Sequence, residues 1–342
     1  MAHQSLYRTY RPGSFADVIG QEHITKPLEE AIKGKTIGHA YLFSGSRGLG
    51  KTSVARILAN AIGATERDIA EIDAASNNSV EDIRALTENV YTLPFESPYK
   101  VYILDEAHML SKGAWNAFLK TLEEPPSHAV FVLATTELEK VPETVQSRCQ
   151  VFEFKKPSRA ALAKMVAAVA KKEGYTLEKD AAELVAMLAG GSYRDALSVL
   201  QKVLASAEGT TLARASVEEA TGTPRQEQVH ALVSALAKGD RALALKAVGE
   251  TAVAGADMKL FLELVLGTLR SALLIRYAPE MRDTLAAELG EDEFAALEQL
   301  GSPTSKLTHA TMLAFLTAAD RIRFAPIPAI PLELAILELF PE

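Results

Sequence analysis

The sequence predicts an α/β domain built on a parallel sheet, followed by two all-helical domains. Strand-like and helix-like segments alternate up to about residue 156, and a glycine-rich loop joins the first strand to a helix. Beyond residue 157 no strand pattern is recognised, and alanine- and leucine-rich segments with helical spacing take over. A chain of 342 residues suggests two or three domains. We expect them at residues 1–157, 158–222 and 223–342.

The first domain contains five predicted strands. They lie at residues 40–44, 70–73, 100–104, 130–134 and 150–154. Helices are expected between them: one follows the glycine-rich loop at 53–61, and one begins at Ser79, which precedes an acid by three residues as in a capping box. Another covers residues 111–124 and is stopped by two prolines. This alternation predicts a parallel sheet with helices on both faces.

The rest of the chain is predicted to be helical. The expected helices lie at residues 158–173, 177–189, 194–207, 226–237, 241–254, 258–277, 291–300 and 305–323. Asp240 and Asp257 are plausible N-caps. A proline-rich segment at 324–331 precedes a short final helix.

Composition restricts the class of protein. A hydrophobic content of 48%, with 23% charged residues, is ordinary for a soluble globular chain. The formal net charge of −8 excludes a surface that is basic throughout, although a local basic groove would suffice to contact nucleic-acid phosphates. Cys149 is the single cysteine, so no disulfide can form within the chain. Residues 1–11 lack an apolar signal core, and no apolar run is long enough for a membrane span, so we expect a cytoplasmic protein.

A phosphate-binding loop is the strongest functional signal. The pattern G-x-x-x-x-G-K-[ST] is matched by Gly45-Ser46-Arg47-Gly48-Leu49-Gly50-Lys51-Thr52. Backbone N–H groups of such a loop cradle phosphates at a helix N-terminus. Lys51 can reach the β- and γ-phosphates, and the Thr52 hydroxyl can ligate Mg²⁺. The alternative is a chance glycine turn, which the flanking strand and helix disfavour.

Polar residues also follow the later strands. Asp105 is the candidate that holds Mg²⁺, and Glu106 is the candidate that orients and deprotonates the attacking water. The alternative is a pair of solvated acids at a strand end. Thr135 and Thr136 close the next strand, where a hydroxyl would lie beside the γ-phosphate, unless the pair simply caps that strand. Thr136 is the candidate for contact with the γ-phosphate.

Two arginines are candidates for contact with a triphosphate. Arg148 could stabilise the transition state on a neighbouring subunit's ATP, and Arg194 could reach the nucleotide from the second domain. Without further context each is as well explained by a surface ion pair. His108 and Trp115 are expected to pack rather than to act in chemistry.

These motifs together resemble the bacterial DNA polymerase III gamma/tau family, the AAA+ ATPase motors of sliding-clamp loaders. The matching segments in the first domain are residues 6–8, 10–12, 15–21, 39–45, 71–76 and 108–111, then Leu119-Lys120-Thr121-Leu122-Glu123-Glu124-Pro125-Pro126 and Ser147-Arg148-Cys149. Residues 191–195 extend the resemblance into the second domain. The third domain is matched only by its helical character and position.

The resemblance implies a fold and a set of roles. The fold is an AAA+ P-loop domain, a small helical lid domain and a C-terminal helical collar domain for oligomerisation. Lys51 and Thr52 would form Walker A, and Asp105 and Glu106 Walker B. The other implied roles are sensor 1 for Thr136, a finger acting in trans for Arg148, and sensor 2 acting in cis for Arg194. The residues bordering the adenine would be Tyr7, Arg11, Pro12, Val18 and Ile19. Ser53 would join the loop itself in binding the nucleotide.

One departure from the family is visible. A four-cysteine zinc module usually precedes the segment 71–76, but here residues 63–68 cross directly and contain no cysteine. We therefore predict no structural zinc. We also expect a gamma-like core without the long tail that attaches helicase and polymerase.

The implied activity is ATP hydrolysis, with ATP and Mg²⁺ as ligands, that drives loading of a sliding clamp onto primer–template DNA. The implied partners are delta and delta-prime subunits, further copies of this chain, the clamp, and DNA contacted through its phosphates. The implied location is the nucleoid-associated replisome of the cytoplasm. Two alternatives remain: another AAA+ motor, such as a branch-migration helicase, and a structural loader subunit that does not hydrolyse ATP.

Overall fold

The computed structural model describes residues 5–282, 285–286 and 291–341. The chain divides into two compact units, Met1–Leu204 and Ala205–Glu342. The first unit contains the whole sheet and the helices up to the lid region, and the second is almost entirely helical. The finer division into three domains stays a prediction.

The first unit is built on a five-stranded parallel sheet with strand order β2-β3-β4-β1-β5. The strands are β1 Ala40–Ser44, β2 Ile69–Asp73, β3 Lys100–Asp105, β4 Ala129–Thr135 and β5 Gln150–Glu153. All five predicted strands are therefore present, within one residue at each end. In the register, Ser44 pairs with Thr135 and Asp73 with Asp105, so the carboxyl ends of these strands share one edge. Such an edge is where open α/β sheets bind ligands.

Helices cover both faces of the sheet, as the sequence predicts. They are α1 Leu6–Thr9, α2 Glu22–Lys33, α3 Lys51–Ala61, α4 Val80–Val90, α5 Lys112–Glu123 and α6 Glu143–Gln146, with single 3₁₀ turns at Phe15–Asp17, Glu66–Asp68, Ala107–Met109 and Leu138–Lys140. Successive strand residues point to opposite faces, so Phe43 packs with α2 and α3, whereas Leu42 packs with α4, α5 and α6. Trp115 is buried in the second of these clusters, as expected.

The lid region completes the first unit. It comprises α7 Arg159–Lys172, β6 Thr176–Leu177, α8 Lys179–Leu188 and α9 Tyr193–Ala205. The predicted cap at Ser79 is confirmed, because its hydroxyl accepts a hydrogen bond from the backbone N–H three residues on. Ser111 caps α5 in the same way, although its capping role was not predicted. The expectation that strands end near residue 157 is wrong for β6, because a strand of two residues is too short to show a period of two.

The second unit is a helical bundle around one apolar core. Its elements are β7 Thr211–Leu212, α10 Arg214–Thr221, α11 Gln226–Lys238, α12 Arg241–Val253, α13 Met258–Tyr277, a 3₁₀ turn at Pro279–Met281, α14 Glu291–Leu300, α15 His309–Arg321 and α16 Ile330–Leu339. The caps Asp240 and Asp257 are confirmed. The strand β7 and the helix α10 were not predicted. The helix expected from residue 305 begins at His309, because Thr308 is extended and serves as its N-cap.

None of the helices in the described part of the chain is both long enough and apolar enough to cross a membrane.

Candidate active site

The glycine-rich loop lies between β1 and α3, and its backbone depends on glycine. Gly45, Gly48 and Gly50 have φ angles of 135°, 77° and 97°, which residues other than glycine rarely adopt. Turns of this kind orient successive N–H groups toward a common centre. Since α3 begins at Lys51, directly after the loop, the positive end of the helix dipole adds to an anion site here.

Lys51 is held over this loop by the loop's own carbonyls. Its Nζ donates to the oxygens of Gly45 at 2.6 Å and Ser46 at 3.0 Å. The residue is only 6% exposed. Burial lowers the pKa of its ammonium, and the neighbouring Glu106 and Asp105 oppose that effect. The result is a nearly dry cation that a phosphate oxygen could contact in place of the carbonyls.

Thr52 and Asp105 form the polar pair expected of a divalent cation site. The Thr52 hydroxyl donates to Asp105 Oδ2 at 2.8 Å, which joins the start of α3 to the end of β3. Hydroxyl and carboxylate oxygens are hard ligands of the type that Mg²⁺ selects. Two oxygens already placed side by side fit this cation, with the remaining ligands left to water and phosphate.

Glu106 follows directly and has an unusual backbone. Its φ and ψ are 49° and 43°, the left-handed region, which costs a residue with a side chain about 1–3 kcal/mol. Strain of this size persists where the surroundings fix the residue. Here the Thr136 hydroxyl donates to Glu106 Oε2 at 3.0 Å, so the predicted pair of base and sensor is in direct contact.

His108 connects the ends of β3 and β4. Its Nδ1 lies 3.0 Å from Thr135 Oγ1 and 3.6 Å from Glu106 Oε2, and its Nε2 lies 3.2 Å from Glu137 Oε1. The side chain is 7% exposed, which agrees with the packing role expected for it. Sequence reasoning missed the contacts of His108 with Thr135 and Glu137, because nothing in the strand pattern marks which polar residues a distant ring will meet.

A cavity of about 720 Å³ opens beside the loop, a volume typical of small-molecule sites. It is lined by twelve of the predicted site residues: Tyr7, Arg11, Pro12, Val18, Ile19, Gly48, Leu49, Gly50, Thr52, Ser53, Asp105 and Arg194. An adjoining smaller cavity adds Arg47, Lys51 and Glu106. The carbonyls of Gly45 and Ser46 accept hydrogen bonds from Lys51, and the Thr136 hydroxyl donates one to Glu106. The predicted residues of one chain are thus brought together, apart from Arg148.

The apolar and aromatic side of the cavity is formed by the N-terminal segment. Arg11 donates from Nε to Ser53 Oγ at 2.9 Å, which fixes this segment against α3. Burial lowers the pKa of the Arg11 guanidinium, and repulsion from Arg56 adds to that effect. Arg56 is in turn hydrogen-bonded through Nε to Glu71 Oε2 at 2.7 Å, and both line the cavity. Sequence reasoning missed this pair.

The lid helix α9 reaches the same cavity. Arg194 lines both cavities, and its guanidinium lies 5.9 Å from the centre of the Tyr7 ring. The preceding residue, Tyr193, donates its backbone N–H to Gly48 O at 3.0 Å. The Leu6 N–H donates to Gln201 Oε1 at 2.9 Å, further along the helix. Tyr193 and Gln201 were not predicted, and only the proximity of Tyr193 to Arg194 could have drawn attention to it.

Arg148 is placed differently from the other predicted residues. It is not among the residues that line either cavity in the described part of the chain. Its Nη2 lies 2.5 Å from Glu123 Oε1, and its Nη1 donates to Thr144 O at 2.6 Å. The structure therefore separates this arginine from the two cavities of its own chain.

The segment that replaces the expected cysteine module is short. The 3₁₀ turn Glu66–Asp68 leads directly into β2. Within residues 5–282, 285–286 and 291–341, no group of three or more His, Cys, Asp or Glu side chains is placed to hold a metal ion. That zinc is lacking nevertheless stays a prediction.

Family models match most of the chain. The model "DNA polymerase III clamp loader subunit, ATPase lid domain" matches residues 161–209, and "DNA polymerase III subunits gamma and tau domain III" matches residues 212–341. The model "DNA polymerase III, delta subunit" matches residues 64–158, and "Magnesium chelatase, subunit ChlI" matches residues 14–110. The predicted lid and C-terminal helical regions are therefore confirmed.

Individual DNA polymerase III subunits are similar to this chain over most of its length. The chain is 40% identical to the DNA polymerase III tau subunit of Bacillus subtilis over 323 residues, which are 87% of this chain and 57% of the relative. It is 34% identical to the gamma/tau subunit of Mycobacterium tuberculosis over 98% of this chain and 62% of the relative. The chain thus spans about three fifths of the length of these relatives.

A solved structure shows the same fold. The Holliday junction branch migration motor RuvB of Thermotoga maritima superposes with a TM-score of 0.53 at 21% identity, covering 87% of this chain and 95% of that chain. At this identity the similarity concerns the fold alone, and it confirms the predicted AAA+ architecture.

Proposed function

Because this chain is homologous to the gamma and tau subunits of DNA polymerase III, we propose that it is the ATP-hydrolysing motor subunit of a sliding-clamp loader. One observation carries the proposal. Lys51, Thr52, Asp105 and Glu106 meet at one sheet edge, beside a cavity that the lid residue Arg194 also lines. A chain that served only as a scaffold would have no need of this convergence.

Each residue then has a role in phosphoryl transfer to water. The loop N–H groups and Lys51 bind the phosphates, and Lys51 exchanges its two carbonyl contacts for phosphate oxygens. Thr52 and Asp105 would hold Mg²⁺, which when bound would neutralise negative charge on the phosphates. Glu106 orients the attacking water and accepts its proton, and Thr136 fixes the Glu106 carboxylate.

The transition state then needs a positive charge that reaches the γ-phosphate. Arg194 lies at the cavity of its own chain and is suited to act in cis. Arg148 is held about 2.5 Å from Glu123, away from that cavity, and is suited to act on the nucleotide of an adjacent subunit. We propose that hydrolysis depends on assembly for this reason, with the arginine contributing about 10³–10⁵-fold to turnover.

The proposed partners follow from the proposed activity. They are delta- and delta-prime-type subunits, further copies of this chain held by the C-terminal helices, the sliding clamp, and primer–template DNA contacted at its phosphates. The proposed location is the replisome in the cytoplasm. These assignments rest on the relatives and not on contacts within this chain.

The central experiment compares Lys51→Ala with Lys171→Ala. Lys171 is an exposed residue of the lid helix α7 outside both cavities, so it serves as a matched control for the loss of one lysine. ATP binding is measured by calorimetry on the isolated chain, and phosphate release is measured with loader partners, clamp and primed DNA. We expect Lys51→Ala to abolish both, and Lys171→Ala to leave both unchanged.

Three results would contradict the proposal. Nucleotide-dependent clamp loading by Lys51→Ala would remove the motor role, and ATP binding without phosphate release by the assembled wild type would indicate a structural subunit. Strand movement on branched DNA without any clamp-dependent turnover would indicate a branch-migration motor instead.

A further inference from the structure

Tyr193 links two walls of the cavity that lie far apart in the sequence. Its hydroxyl donates to the Ile19 carbonyl at 2.7 Å, across a separation of 174 residues. Its backbone N–H donates to the Gly48 carbonyl at 3.0 Å. Ile19 belongs to the apolar segment at the side of the cavity, and Gly48 belongs to the phosphate loop. One residue of α9 therefore holds both at once.

Two glycines make room for these contacts. Gly20 has a φ of 69°, and a Cβ built on it would lie 3.1 Å from the Tyr193 hydroxyl. Gly48 has a φ of 77°, and a Cβ built on it would lie 2.0 Å from Ser192 Oγ. The phosphate loop at Gly48 thus approaches the start of α9 more closely than a side chain would allow, and the segment at Gly20 leaves a side chain little room.

The hydroxyl remains a donor over the whole physiological range. Burial raises the pKa of the Tyr193 phenol to about 12, and the nearby Glu22 adds to that effect. The Tyr193 hydroxyl therefore keeps its hydrogen bond to the Ile19 carbonyl throughout this pH range, and the bond fixes the orientation of that carbonyl. Asp17, Val18 and Ile19 line the cavity, so the orientation of this segment decides what hydrogen bonds a base bound there would find.

We propose that Tyr193 is a positioning residue: it fixes the cavity wall that contains Ile19, where the base would bind, relative to the phosphate loop. In this way it sets nucleotide affinity and the preference for adenine. The inference rests on the proposed function and assigns a residue beyond those that touch phosphate. Adenine presents an amino donor where guanine presents a carbonyl acceptor. A cavity wall whose backbone is fixed offers hydrogen-bonding groups that match only one of these two bases. A wall whose backbone can rotate can match either base.

The test is Tyr193→Phe, which keeps the ring and removes only the hydroxyl. The binding of ATP and GTP is measured by calorimetry on the isolated chain, and KM and kcat are measured in the assembled loader. We expect ATP affinity to fall about three- to tenfold, the amount that one hydrogen bond commonly contributes. The ratio of ATP to GTP affinity should fall as well, while kcat at saturating ATP stays within about twofold, because the phosphate chemistry is unaffected.

A matched control removes a different tyrosine hydroxyl. The Tyr41 hydroxyl accepts from the Gly38 N–H at 2.8 Å at the start of β1, outside both cavities. Tyr41→Phe should lower the melting temperature without altering nucleotide affinity or selectivity. Gly20→Ala provides a second route, because it displaces the Tyr193 hydroxyl while leaving Tyr193 itself intact, and it should reproduce the loss of base preference.

The outcomes separate this inference from the proposed function. If the wild type binds ATP and Tyr193→Phe binds it with the same affinity and the same preference over GTP, the positioning role is refuted while the motor role survives. If Tyr193→Phe lowers kcat and leaves KM unchanged, Tyr193 acts in the chemical step instead. A wild type that binds no adenine nucleotide overturns both.

Discussion

The contact between Arg148 and Glu123 allows a quantitative test of the proposed trans-acting arginine. If Arg148 serves a neighbouring subunit, it must first leave Glu123. The side chains are 35% and 48% exposed, so the ion pair is worth about 0.2–1 kcal/mol. Removing the charge with Glu123→Gln should therefore favour the released arginine by at most about fivefold.

The two variants should differ in direction and in size. Glu123→Gln should leave phosphate release by the assembled loader unchanged or raise it by up to about fivefold. Arg148→Ala should lower it by about 10³-fold or more, because the transition state loses its added positive charge. Neither variant should alter ATP affinity in the isolated chain, since neither residue lines the cavities in the described part of the chain.

A mixing experiment shows whether the arginine acts in cis or in trans. Chains with Lys51→Ala retain Arg148, and chains with Arg148→Ala retain Lys51. A mixture of the two should recover part of the DNA-stimulated phosphate release that each lacks alone. No recovery in mixed assemblies of verified composition, or a loss in Glu123→Gln as large as that in Arg148→Ala, would refute the reasoning.

Three further predictions concern single residues. Gly48→Ala should weaken ATP binding by roughly tenfold or more in calorimetry, because it adds both strain and a collision with the lid helix, whereas Gly174→Ala, at φ 87° with nothing within 4 Å, adds strain alone and should leave binding unchanged. Burial raises the pKa of the Cys149 thiol to about 12, so at pH 8 mass spectrometry should show rapid alkylation only after denaturation; equally rapid alkylation of the folded chain would contradict this. Burial alone would raise the pKa of the Asp68 carboxyl, but hydrogen bonds from three backbone N–H groups and from the Ser97 side chain lower it from 3.8 to about 2. Its stabilising effect should thus be complete above about pH 4 and be lost toward pH 2, and urea unfolding of Asp68→Asn should lack this acid dependence.

The sheet and its phosphate loop could be predicted because their signals are local. A strand such as β4 is buried along its whole length and reads as an apolar run. The loop needs glycine at its left-handed positions and a lysine at the start of a helix, and all of these lie within eight residues. A motif whose residues are all close together in the chain can be recognised from the sequence alone. The strands β6 and β7, at two residues each, carry too little pattern for the same reasoning.

The surroundings of the site could not be predicted, because they depend on tertiary packing. Thr135 and Glu137, which contact His108, come from the end of a different strand, and the partners of Tyr193 are more than a hundred residues away. A lone polar residue has many possible partners, and its neighbours in the sequence do not choose among them. The strained backbone of Glu106 is likewise invisible in the sequence, since only the fold shows that a residue with a side chain occupies a conformation typical of glycine.

Arg194 and Arg148 show what the fold adds to a motif. In the sequence Arg148 follows Ser147 and Arg194 precedes Asp195, and the physical alternatives for each arginine include a surface ion pair. The fold brings Arg194 to the cavity, whereas it holds Arg148 against Glu123 and Thr144. Under the proposed function this difference determines the regulation, because a chain that contains every other catalytic group still lacks one positive charge. Turnover then requires a neighbour, and any ligand that changes how two subunits meet can control it without altering the nucleotide site.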